Sequence, residues 1–221
     1  EVLRNLYERL NYLRNLEEKK EQVLSSIEEQ GKLTEELKKQ ILAADTLVAV
    51  DDLYRPYRPK RRTRATIAKE KGLEPLANLL SLQQLDHSAE EEAEAYISEE
   101  KGVASAEEAL QGAMDIVAEA IADEADYRTY IREKTMKKGT LTSTAKDEKA
   151  ESVYEMYYNF EEPVAKLAGH RILALNRGEK EKILTVKLEA PEEEIIRYLE
   201  KKMADYKAGR LQLAAHELLE D

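Results

Sequence analysis

Between Tyr54 and Lys71 the chain reads Tyr-Arg-Pro-Tyr-Arg-Pro-Lys-Arg-Arg-Thr-Arg-Ala-Thr-Ile-Ala-Lys-Glu-Lys. Eight cations, Arg55, Arg58, Lys60, Arg61, Arg62, Arg64, Lys69 and Lys71, stand there against Glu70 alone. Guanidinium and ammonium groups in such density neutralise phosphates, and the counterions they release supply sequence-independent affinity for nucleic acid. The flanking Tyr54 and Tyr57 offer ring faces on which unpaired bases stack. The same arginines suit bidentate pairing with carboxylates, and residues 86–126 hold fourteen acidic residues against Lys101. Two readings therefore stay open: a polyanion site, or an internal lock between helical layers.

A second constellation is His170-Arg171-Ile172-Leu173-Ala174-Leu175-Asn176-Arg177-Gly178-Glu179. Arg171 and Arg177 are suited to a phosphate or a base edge. They are equally suited to satisfying helix ends and buried carbonyls, which composition alone favours. Catalysis has little to stand on. His87, His170 and His216 have no partner at metal-ligand spacing, and no nucleophile motif, P-loop or dinucleotide fingerprint occurs. The expectation is no enzyme activity, no metal and no cofactor.

The basic stretch must be positioned by helices. Pro56 and Pro59 lack amide donors and push the residues before them to extended conformations, so residues 54–60 form a stiff connector. Thr63 can cap a following helix with Ile67 and Ala68 inward, and Gly72 stops it. Upstream, Leu3, Leu6, Leu10, Leu13, Leu16, Val23, Leu24 and Ile27 share one helical face. Gly31 ends that helix, and Thr34 caps the next, whose expected buried side is Leu37, Ile41 and Leu42. This helix pair is helix-turn-helix-like. A DNA-contacting version needs cations on its second helix, and only Lys32, Lys38 and Lys39 are on offer, so two packed bundle helices are the better reading.

Downstream, Leu47–Leu53 is a short apolar stretch, and Pro75 opens a helix. Ser88 with Glu91 and Ser105 with Glu108 form capping boxes. The acidic run Glu90–Glu94 reads as a solvated helix face. Asp123 is expected to cap a helix reaching about Lys137. Thr140–Thr144 and Ile183–Leu188 alternate as strands, with a helix to about Phe160 between them. Arg171–Arg177 is either a short helix stopped by Gly178 or one arm of a hairpin. Pro191 starts a long amphipathic helix, and the chain leaves through a final helix after Gly209. The expected fold is mainly α: an elongated multi-helix scaffold with a helix-turn-helix-like portion and one small β hairpin or sheet.

Composition sets the outer bounds. A chain of 221 residues suffices for one or two domains. The boundary expected is an N-terminal helical region with the basic connector at 1–72, then a helical scaffold at 73–221. A formal net charge of −11 opposes general polyanion binding over most of the surface. Cysteine is absent, which suits a reducing compartment. No run is apolar and long enough to span a bilayer, so no membrane partner is expected. Both ends fall inside helical patterns, as in a fragment of a longer chain.

The connector resembles the Pro-Tyr-x-Pro-Lys-Arg-Arg-Thr-Arg segment of the bacterial Tex family of transcription accessory proteins. Three further stretches are similar to that family in colinear order. They are Glu108-Ala109-Leu110-x-Gly112-Ala113-x-Asp115-Ile116, Tyr154-x-x-Tyr157-Tyr158-x-Phe160-x-Glu162-Pro163, and the His170–Glu181 stretch. Arg55 departs from the pattern, standing where an apolar residue is common. The resemblance implies a cytoplasmic protein of transcription, similar in its core to the eukaryotic Spt-type elongation factor, that binds RNA or DNA mostly through its full-length chain. It also implies that a YqgF/RNase-H-like domain, helix-hairpin-helix elements and an OB-type RNA-binding domain lie outside these residues. The residues expected to touch nucleic acid are Arg55, Arg58, Lys60, Arg61, Arg62, Arg64, Lys69, Arg171 and Arg177. The rival reading is a structural or protein-docking module whose acidic face meets transcription machinery such as RNA polymerase.

Overall fold

The computed structural model describes residues 1–83 and 85–204. The final helix expected after Gly209 lies outside the described residues. Two compact units divide them, Glu1–Arg128 and a second beginning at Thr129. The protein is mainly α with one small antiparallel sheet. No helix among the described residues is long and apolar enough to cross a membrane.

The first unit holds two cores. Helix α1 (Val2–Glu29) buries Leu16, Val23 and Ile27 against Leu37 and Ile41 of α2 (Glu35–Ala43) and Val50 of α3 (Leu47–Tyr54). Thr34 caps α2 by accepting from the Leu37 amide, as its type and position require. Lys20, itself buried, donates to the Leu42 carbonyl at 2.9 Å and so satisfies an orphan acceptor at the α2 end. Leu42 itself is exposed, contrary to expectation: one residue on from Ile41, it is turned about 100° off the face that Leu37 and Ile41 bury. The apolar stretch after it is helical: Thr46 accepts from the Ala49 amide and starts α3.

The second core joins α4 (Arg64–Glu70), α5 (Glu74–Leu82), α6 (Ala89–Glu94) and α7 (Ala106–Asp123). Small residues let these helices approach closely. Ala65 and Ala68 of α4 meet Ala109 and Ala113 of α7, with Leu73 and Leu76 filling the layer between. A Cβ at Gly112 would stand 3.2 Å from the Ala68 Cβ and collide with Leu73. Gly72 adopts φ +78, the left-handed conformation that ends α4. Ser88 and Ser105 accept from the Glu91 and Glu108 amides as capping residues. Glu108 reaches back to the Ala104 amide at 2.8 Å, one residue before the cap. That bond first, and Lys71 at 3.0 Å second, hold its carboxyl below the ordinary range.

Helix α8 (Ala125–Lys138) leads into the second unit, which is built on a sheet of order β2-β1-β3. Strands β1 (Thr140–Ala145) and β3 (Leu184–Glu189) lie where period-two alternation puts them. Strand β2 (Asn159–Pro163) occupies the end of the stretch expected to be helical. There the chain makes one 3-10 turn at Glu155–Tyr157 and then pairs, Thr142 opposite Glu161. Its Phe160 packs on the core of this unit. Helix α9 (Gly169–Lys180) runs through Gly178 instead of stopping there. Gly178 is buried, and a Cβ on it would lie 2.6 Å from Leu184 Cδ1 and 3.3 Å from Tyr154 Cδ1. It is a packing glycine, and the left-handed residue after the helix is Lys182, at φ +62. Burial pushes the Tyr154 phenol up. Residues 192–204 form α10, whose Glu194 accepts from Lys134 at 2.5 Å and Lys138 at 2.6 Å.

Two measurements check this packing. Gly112→Ala and Gly178→Ala each overpack a closed layer, so each is expected to lower unfolding stability by about 1–3 kcal/mol, read from denaturant midpoints at unchanged slope. The hydrogen bonds from Lys134 and then Lys138 lower the Glu194 carboxyl to about 2. A carboxyl lowered on folding stabilises above its ordinary value of 4.5 and loses that contribution as pH falls towards about 2. Thermal unfolding midpoints should therefore drop across that window, and less so in Glu194→Gln. High salt should shrink the difference, because all three side chains reach solvent.

Candidate nucleic-acid interface

The connector is a strap, held at both ends and in the middle. At its start, Tyr54 and Tyr57 pack into the first core. The Tyr54 hydroxyl shares a 2.8 Å hydrogen bond with Ser26 Oγ, and the Gln30 amide donates to the Tyr57 carbonyl at 2.9 Å. These rings are consumed as anchors against α1, so the expected stacking on bases is not what their placement serves. At the far end Thr63 accepts from the Thr66 amide and opens α4.

In the middle the strap lies on α7. Arg55 Nε donates to Asp123 Oδ1 at 2.8 Å, and Lys60 Nζ donates to Asp123 Oδ2. Lys60 also stands 3.6 Å from Glu119. Asp123 is the last residue of α7, not the cap of the next helix, and its side chain is only 9% exposed. A carboxylate so placed needs charged partners, and the strap brings two. Arg58 turns back to Asp51 at 2.8 Å and lies over the Tyr54 ring, 5.6 Å from its centre. Between strap, α4 and α7 runs an open groove of about 440 Å³ edged by Arg55, Lys60, Arg64, Asp115 and Glu119.

The remaining cations point outward. Arg61 is exposed and makes no ion pair among the described residues. Arg62 bonds Glu70 at 2.7 Å with its side chain 67% exposed, and Arg64 stands 3.8 Å from Asp115 at 85% exposure. Lys69 faces Glu74 at 3.8 Å. In the second unit Arg171 donates to Glu162 at 2.7 Å, which ties α9 to β2. Arg177 is exposed on α9, near enough to Tyr154 to oppose the upward push of burial on its phenol.

The residues that sequence reasoning missed are the acceptors. Asp115, Glu119 and Asp123 recur every fourth residue, which stacks three carboxylates on one face of α7. That spacing was the available signal, submerged in the wider acidic stretch. The strap is thus sorted into anchoring cations (Arg55, Arg58, Lys60) and outward ones (Arg61, Arg62, Arg64). Asp123→Ala is expected to cost about 1.5–3 kcal/mol of unfolding stability, as for a lost hydrogen bond between charged groups. Arg61→Ala should stay within about 0.5 kcal/mol of the parent. Equal losses in chemical denaturation would contradict the sorting.

Comparison with known proteins agrees with this arrangement of motifs. A family profile described as "Tex central region-like" matches residues 84–219. The chain is 48% identical over 223 residues to YdcI of Bacillus subtilis, spanning 99% of this chain and 31% of that protein. It is 43% identical over 188 residues to "Transcriptional accessory protein Tex" of Neisseria gonorrhoeae, spanning 84% of this chain and 24% of that one. It is 29% identical over 196 residues to the human "S1 RNA-binding domain-containing protein 1", covering 84% of this chain and 19% of the human one. The chain therefore spans less than a third of the length of these relatives. With the connector, the Gly112 helix and the α9 stretch all in place, and the profile covering well over half of its residues, the chain belongs to the Tex family.

Proposed function

We propose that these residues are the helical scaffold of a nucleic-acid-binding transcription accessory protein, and that Arg61, Arg62 and Arg64 meet its phosphates. One observation carries the reading: Arg61 makes no ion pair among the described residues, and Arg62 and Arg64 beside it are 67% and 85% exposed, whereas Arg55 and Lys60 are held by the nearly buried Asp123. A row of guanidinium groups on a proline-stiffened segment loses little entropy when a phosphate chain settles on it. The relatives' names lend support, since one is a transcriptional accessory protein and another carries an S1 RNA-binding domain in its name. On this reading the protein works in the cytoplasm and binds RNA or DNA through its backbone. The residues position nucleic acid and perform no catalysis. The helix-turn-helix-like pair, α1 and α2, serves as scaffold, since Val23, Ile27, Leu37 and Ile41 all face the first core.

The test is a titration of the chain with single-stranded RNA and single-stranded DNA over a series of salt concentrations. Each phosphate neutralised on a single strand contributes about −0.7 to the slope of log K against log salt. Changing Arg61, Arg62 and Arg64 together to alanine should flatten that slope by roughly two and weaken binding to all sequences alike. Unchanged affinity with lowered stability would end the reading. It would favour instead a scaffold that docks transcription machinery such as RNA polymerase through carboxylates like those of α6, where Glu90, Glu91 and Glu94 are exposed.

A further inference from the structure

The arginine row of the strap runs up to a groove. Arg64 stands on the edge of the space of about 440 Å³ between strap, α4 and α7, a size that suits a small ligand. On its floor Ala118 and Ala122 lie one turn apart on α7, and both are exposed. Side chains this small leave a low apolar strip against which a flat ring can lie. Beside the strip, Asp115 and Glu119 line the same groove with side chains only 16% and 26% exposed. Asp123, further along, is answered by Arg55 Nε at 2.8 Å and by Lys60. Asp115 is not answered in that way. Among the described residues the donors that reach it are Gln111 Nε2 at 3.5 Å and Arg64 Nε at 3.8 Å, both beyond the roughly 2.7–2.9 Å of a charge-assisted hydrogen bond.

A part-buried carboxylate with open acceptor sites suits a ligand that brings paired donors. Arg61 and Arg62 precede Arg64 on the strap, so the same ligand fits best if it carries negative charge at its other end. A nucleotide of a strand meets both conditions, with its phosphate on the arginines and its base over the alanine strip. Guanine alone among the four bases sets two N–H donors side by side on one edge, N1–H and the exocyclic amino group, matching the two oxygens of a carboxylate. Cytosine and adenine bring one amino group beside a ring acceptor, and uracil one N–H between two carbonyls that Asp115 would repel. In a duplex that guanine edge is paired, so the base that enters must be unpaired. A phosphate that draws Arg64 outward leaves Asp115 with the base edge as its partner.

We propose that this groove is a subsite for one unpaired guanine of a single strand, with Asp115 accepting from its N1–H and amino group and Ala118 and Ala122 beneath its ring. It deepens the reading that a single strand meets the strap, and rests on it. The test is fluorescence anisotropy of the 221-residue chain with labelled hexauridine and with the same strand carrying guanosine or inosine at one position. The guanosine strand should bind at least about fivefold tighter than hexauridine. Inosine, which lacks the exocyclic amino group, should lose most of that gain. Asp115→Asn should abolish the difference between strands, while affinity for hexauridine holds or rises because a negative charge has left the neighbourhood of the phosphates. Ala118→Leu fills the floor and leaves every charge in place, and it should abolish the difference as well. Equal affinities in the parent, or a guanosine preference that survives either substitution undiminished, would overturn the proposal. Arg61→Ala/Arg62→Ala separates it from the reading beneath it. Weaker binding of both strands with the preference kept supports both. Unchanged affinities with the preference kept would sink the arginine row and leave the guanine subsite standing. Weaker binding in that variant, with no preference in the parent, would sink the subsite alone. Binding of neither strand by the parent would end both.

Discussion

Three carboxylates four residues apart on one helix face repel one another, by a few tenths of a kcal/mol per pair on an exposed helix. On α7 the last of them, Asp123, is also nearly buried, which makes an unpaired charge far more costly. The architecture of the first unit follows from answering that cost. Arg55 and Lys60 converge on Asp123, so the segment that carries them has to cross α7. Contrary to expectation Arg55 stays in the α region ahead of Pro56, and the chain makes one more turn there, the Tyr57 and Arg58 amides donating to the Tyr54 carbonyl, before residues 59–63 reach the start of α4. The same logic recurs beside it. Asp52 of α3 is buried and accepts from Arg128 Nε at 2.8 Å, while Arg128 Nη1 donates to the Ala122 carbonyl near the end of α7. Charge pairing across α3, the strap and the α7–α8 corner holds together the layers that the two apolar cores form separately.

This division sorts the cations of one segment by what holds them. A guanidinium that completes the surroundings of a buried carboxylate is not free to follow a phosphate, because leaving would strand the carboxylate. Arginines a few residues further on carry no such obligation. Arg62 pairs with Glu70 at the surface, where ion pairs contribute little, and Arg64, 85% exposed, stands 3.8 Å from Asp115. A net charge of −11 sharpens the contrast, since the outward row is an island of positive potential on an acidic protein.

Much of the local structure was legible in the chain because its signals are short-range. Thr34, Thr63, Ser88 and Ser105 each cap the helix they precede, Pro75 sits in a first helical turn, and Gly31 and Gly72 take positive φ after their helices. The alternation of Thr140–Thr144 marked β1. The misses share a different cause. Leu47–Leu53 is apolar on nearly every side and offers no period, so its helix rests on a Thr46 cap and on packing against α1. The stretch before Phe160 has a helix-compatible spacing of tyrosines, but β1 presents an unpaired edge, and backbone pairing with that edge claims Asn159–Pro163 as β2. Gly178 reads as a helix stop, whereas Leu184 and Tyr154 press so close that only glycine leaves room.

What the sequence by itself determined is where the capped helices α2, α4, α6 and α7 begin, that the protein is mainly α, which family's motifs it carries, and where positive charge concentrates. Those properties depend on neighbours within a few positions, or on composition alone. Only the tertiary structure decided what each cation does. Arg55 and Arg61 are the same residue type six positions apart on one strap, yet one meets a carboxylate at the end of α7, 68 residues on, and the other meets solvent. Tyr54 and Tyr57 look like stacking platforms in the chain, and folding spends them on the core behind the strap. The physical reason is range: capping and periodicity act along the backbone. Charge pairing and desolvation act through space, and the distances that govern them exist only once the helices have packed.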